Sequence, residues 1–122
     1  MSSELSKEYA EGYEALGHRG LVFYKFMSMV SVRIREEEAV IKFGPLLACS
    51  YPNLARAELL RDFLKEQKEW IREQGDKAPV REMTRRMWWL MQKMIDFGIW
   101  TIQDQKYIVY WYDTCTEQFT TA

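Results

Sequence analysis

Apolar residues recur at helical spacing along much of the chain, most clearly from Pro79 to Gly98. At 100° per residue, Met83, Met87, Leu90, Met91, Met94 and Ile95 share one side, with Trp88 at its edge. The opposite side carries Arg81, Arg85, Arg86, Gln92, Lys93 and Asp96, with Trp89 in its middle. Pro79 suits the first helical position, where its missing N–H costs nothing. Gly98 suits the left-handed position that closes a last turn. The pattern predicts an amphipathic helix with a core of methionines.

Upstream, Leu5, Tyr9, Tyr13 and Leu16 predict a short helix over 3–16, part of a loosely docked, locally acidic arm spanning 1–19. Residues 21–43 fit two patterns. Val30, Val32 and Ile34 alternate with polar residues, as strands near 28–34 and 39–43 would. A single helix instead places Phe23, Phe26, Met27, Val30, Ile34 and Ile41 on one face. A hairpin would have to reverse at Glu36-Glu37-Glu38, and three Glu are good helix formers and poor turn formers. The helix also gives Arg33–Glu37 and Glu38–Lys42 pairs at i,i+4, so one long helix is expected. The stretch 44–53 then reads as a connector whose Leu46 and Leu47 tuck into the core. Asn53 is the expected N-cap of a helix over 54–74, closed by Gly75, with Leu60, Phe63, Leu64, Gln67, Trp70 and Ile71 inward.

After Gly98 the period changes to two. Trp100 and Ile102 share a face, as do Tyr107, Val109 and Trp111, with a turn at Asp104-Gln105. This predicts a C-terminal antiparallel β-hairpin, followed by a flexible tail over 113–122 with Phe119 as an anchor. The expected fold is mainly α: a single small domain, 1–122, of three to four helices, ending in a helix-plus-hairpin module over 79–112. Its core should hold Phe26, Val30, Ile34, Leu60, Phe63, Leu64, Trp70, Met87, Leu90, Met94 and Trp100.

The helix-then-hairpin ending resembles the recognition helix and wing of winged-helix domains, over about a quarter of the chain and without a sequence motif. That resemblance implies a helix in the major groove, with Arg81, Arg85, Arg86 and Lys93 facing the DNA. Glu82 and Asp96 on the same side, and Lys106 as the single basic residue of the wing, run against it.

Composition narrows the function classes. With 122 residues and 48% hydrophobic content the chain can build a core. Net charge is −1, which removes the argument from a globally basic chain for nucleic-acid binding. No apolar run reaches membrane-span length, and the N-terminus lacks the pattern of a signal peptide, so no membrane association is expected. Cys49 and Cys115 make no disulfide framework, which favours a reducing, cytoplasmic or otherwise intracellular setting. His18, the one histidine, lies in a Gly-His-Arg-Gly turn. It forms no ligand set with two distant cysteines, so no metal or cofactor is expected. Phosphate-binding glycine motifs are absent.

The function expected is therefore not enzymatic. A Trp in the middle of the polar side is either covered by the C-terminal strands or the N-terminal segment or, ringed by basic groups, suits a contact hot spot; on the second reading Trp89, Arg85, Arg86, Lys93 and Arg81 form the candidate partner-binding surface. The favoured partner is another protein, bound by an adaptor or stoichiometric inhibitor of the kind found among phage and mobile-element proteins. A winged-helix-like nucleic-acid regulator is the alternative, and a homodimer through the aromatic hairpin a weaker one. Net charge over 79–98 is only +2, from four basic and two acidic residues, which favours a protein target over a phosphate backbone.

Overall fold

The structure, a computed structural model, describes residues 17–121, side chains at 76 and 117–121 excepted. The helix expected at 3–16 and the anchor role of Phe119 lie outside what is described. Four helices make up the fold: α1 (His18–Phe43), α2 (Tyr51–Gln74), α3 (Val80–Asp96) and α4 (Ile102–Thr121). They run up-down-up-down, the arrangement that short connections enforce. Phe23 faces Trp70 across α1 and α2, while Glu38 at the other end bonds Arg61. Gln67 faces Arg86 across α2 and α3. Trp88 stacks edge-on against Tyr112 across α3 and α4.

One core joins the four. Phe23, Phe26, Met27 and Val30 of α1 meet Leu60 of α2, and Met87, Leu90 and Met94 of α3, all essentially solvent-free. Nine of the eleven residues expected in the core are buried, and Phe63 and Trp70 pack against it partly exposed. Residues 21–43 form one helix, and Arg33 pairs with Glu37 at 3.1 Å as its spacing predicts. Glu38 pairs across to Arg61 of α2, which ties two helices together where a bond to Lys42 would have stayed within one.

The C-terminal β-hairpin is not present, and no strand occurs among the described residues. The helix-plus-hairpin module over 79–112 therefore becomes two helices. Residues 102–121 are α4, which also runs through the stretch expected to be a tail. Two local features direct this. Thr101 and Asp104 form a reciprocal capping box: the Asp104 N–H donates to Thr101 Oγ1 at 3.1 Å, and the Thr101 N–H to Asp104 Oδ2 at 2.8 Å. Asp104, expected in a turn, thus starts a helix. The side chains facing the core are Ile108, Val109, Trp111, Tyr112 and Cys115, spaced as one side of a helix. Of the alternating set Tyr107, Val109 and Trp111, the last two pack against the core and Tyr107 points to solvent.

The other boundaries follow their chemistry. Gly98 has φ +74° and closes α3 with two bonds, Gly98 N–H to the Ile95 carbonyl and Ile99 N–H to the Met94 carbonyl, each 2.9 Å. Pro79 sits one place before α3 rather than inside it. α2 begins earlier than expected, capped by Ser50, whose Oγ accepts from the Asn53 N–H at 3.4 Å. Asn53 instead braces the connector, donating to the Ala48 carbonyl at 3.1 Å. Gly44 is required at the sharp exit from α1, because a Cβ there would lie 2.3 Å from the Val40 carbonyl oxygen. Beyond it, Leu46 and Leu47 do not enter the core: they are 93% and 89% exposed.

Candidate functional site

Trp89 lies on the side of α3 that faces away from the methionine stripe, as the helical period requires. It is neither buried beneath the C-terminal segment nor fully open. Its ring meets Phe63 of α2 edge to face, with centroids 4.9 Å apart and planes at 73°, and keeps 36% of its surface in solvent. The Lys93 ammonium sits 5.4 Å from the ring centre, one turn further along α3. Leu59, 46% exposed, adds apolar surface on α2, one turn before Phe63. A cleft of about 140 Å³ between α2 and α3 is lined by Glu66, Gln67, Arg85, Arg86 and Trp89.

The basic residues of this face have internal partners. Glu82, in the first turn of α3, takes Arg85 at 2.5 Å and Arg86 at 3.1 Å. The hydrogen bond from Arg85 holds the Glu82 carboxyl below its usual range, against a partial desolvation that pushes the other way, and Glu82 in turn raises Arg85. Arg86 also donates to the buried Gln67 Oε1 at 3.0 Å, and its guanidinium lies 4.4 Å from the Trp70 ring centre. That packing makes Arg86 a fixed strut between α2 and α3. Lys93 pairs with Asp96 at 3.9 Å. Arg81 is exposed at the start of the helix.

Trp89, Arg85 and Arg86 thus converge on one cleft, the Lys93 ammonium lies over the Trp ring, and Arg81 does not line the cleft. Sequence reasoning missed Phe63 as the support of Trp89 and Gln67 as the anchor of Arg86. Both were read simply as inward-facing, and inward residues of α2 that neighbour a polar side of α3 were the available signal. It also missed the exposed connector formed by Phe43, Leu46, Leu47 and Tyr51.

Among the described residues no cluster of three His, Cys, Asp or Glu side chains could hold a metal ion. No helix of the described residues is long and apolar enough to cross a membrane. What the arrangement presents is a half-exposed aromatic ring beside a cleft rimmed by ion-paired side chains. No protein-family model, curated protein or solved structure matches the chain.

Proposed function

We propose that this protein is a non-catalytic binding protein that engages another protein through the Trp89 face, as an adaptor or a stoichiometric inhibitor. The observation that carries the reading is that Trp89 is held against Phe63 yet remains open to solvent. A ring fixed before binding loses little rotamer freedom on contact, so it contributes more of its buried area as affinity. Hot spots favour Trp and Arg, and Arg85 and Arg86 border the ring.

The pairing of Arg85 and Arg86 with Glu82, and of Lys93 with Asp96, supports a protein target over a nucleic acid. A phosphate backbone is bound by cations that neutralise it, and here Arg85, Arg86 and Lys93 already face carboxylates. Without a hairpin there is no wing to complement a recognition helix, and the nucleic-acid reading loses its geometric basis. A dimer through that hairpin loses its basis as well.

The test is capture from the source cell, with and without nuclease, using wild type, Trp89→Ala and Arg85→Ala/Arg86→Ala. A nuclease-resistant partner lost with Trp89→Ala is the expected result. Capture abolished by nuclease, with tight binding to bare duplex, would overturn the proposal.

A further inference from the structure

A second surface, separate from the Trp89 face, runs along the outer side of α1. Val32, Ala39, Val40 and Phe43 are all exposed, Phe43 at 81%. At 100° per residue, Val32, Glu36, Ala39 and Phe43 fall in one narrow stripe with Val40 at its edge. At one end of the stripe an apolar groove of about 410 Å³ opens between α1 and α4, lined by Met29, Val32, Trp100, Tyr107 and Ile108. At the other end the connector carries Phe43, Leu46, Leu47 and Tyr51 outward as a knob, each more than four-fifths exposed. The knob is a built feature: Asn53 bonds the Leu47 and Ala48 carbonyls, and the Cys49 thiol bonds the Ile41 carbonyl.

We propose that a second copy of this chain covers this surface, the two copies packing α1 against α1 antiparallel about a two-fold axis at Ala39. Knob and groove lie about 16 Å apart along α1, from the ~1.5 Å rise per residue, so a chain cannot fill its own groove with its own knob. An axis at Ala39, just past the midpoint of that span, sets position 32 level with position 46 and so brings the connector beyond Phe43 over the other copy's groove. In that register Glu36 stands opposite the partner's Lys42, and Val32 beneath the partner's Leu46. The charges agree with it. Lys42 is the only charged residue between 39 and 55. The groove rim carries Glu36 and Asp104, while its Arg33 is held by Glu37 at 3.1 Å and reaches Glu36 only at 3.9 Å. Ala39 at the axis lets the helices approach closely. Such a pairing is isologous and closed, and each copy contributes both a knob and a groove to it.

Sedimentation velocity over a dilution series tests this, with circular dichroism confirming that each variant is folded. Wild type should dimerise with rising concentration. Ala39→Arg and Leu46→Asp/Leu47→Asp should weaken the dimer by at least about tenfold, and Trp89→Ala should leave it unchanged. Glu36→Lys and Lys42→Glu should each weaken it, and the two together should restore it. A wild-type monomer at every concentration would overturn the proposal, whether or not it pellets with phosphatidylcholine vesicles. So would a dimer indifferent to Ala39→Arg and to the knob variant.

Discussion

Phe63 holds Trp89 edge to face at 4.9 Å, across residues that belong to different helices and lie 26 positions apart. The contact leaves 36% of the Trp89 surface in solvent, where a partner can reach it. Edge-to-face pairs of this kind contribute about 0.5–1.5 kcal/mol beyond buried area. Phe63→Ala should therefore lower stability by about 1–3 kcal/mol, less than a fully buried Phe would. It should also weaken partner binding although Phe63 itself makes little direct contact. Urea unfolding and binding titrations on the same variant check the two effects.

The identity of α4 as a helix makes a prediction that alternation would reverse in sign. Ile108 is buried and Tyr107 is 66% exposed. Ile108→Ala should cost about 2–4 kcal/mol, and Tyr107→Ala should stay within about 0.5 kcal/mol. In a strand with Tyr107, Val109 and Trp111 inward, Tyr107→Ala would be the damaging change. Thr101→Ala should cost about 1 kcal/mol by removing the capping box. Chemical denaturation measures all three.

Most of the helical architecture is legible in the sequence, and the reasons are particular. Residues 21–43 lacked turn residues, and three Glu decided for a helix. Residues 79–98 carried both an amphipathic period and end signals. Residues 100–112 failed because Ile102, Tyr107, Ile108, Val109, Tyr110 and Trp111 are strand-favouring types whose order fits two periods. The Thr101 to Asp104 capping pair was the signal that should have weighed more. Leu46 and Leu47 were misplaced because an apolar residue in a connector need not find a core. The basic ring around Trp89 is legible, but the pairing of Arg85 and Arg86 with Glu82 and the support of Trp89 by Phe63 depend on rotamers and on a contact between helices, which spacing does not report.

The knob should be nearly silent in the stability of the single fold. Leu46→Ser should change unfolding free energy by no more than about 0.5 kcal/mol when measured at high dilution. Leu60→Ala, at a site 1% exposed, should cost about 2–5 kcal/mol. The contrast separates surface from core in one denaturation series.

The Glu82 clasp predicts an acid limb. Its carboxyl is depressed in the fold by Arg85, so its stabilisation is fully present above the unfolded-state value and is lost as pH falls through the folded one. Arg85 and Arg86 should stay clasped at neutral pH and be released only below the ordinary carboxylate range. Glu82→Gln should remove that part of the pH dependence, with no change in its alkaline arm. NMR titration of the Glu82 side chain checks the direction.

The most direct measurement is the affinity of the captured partner for wild type and for Trp89→Ala, each over a range of salt concentration. The account predicts that Trp89→Ala loses about 2 kcal/mol or more, roughly thirtyfold, with helicity retained. It also predicts a shallow salt dependence, since the basic residues around the ring are already paired. Equal affinity of the two proteins would contradict it. So would a slope of log K against log salt approaching one unit for each of Arg81, Arg85, Arg86 and Lys93.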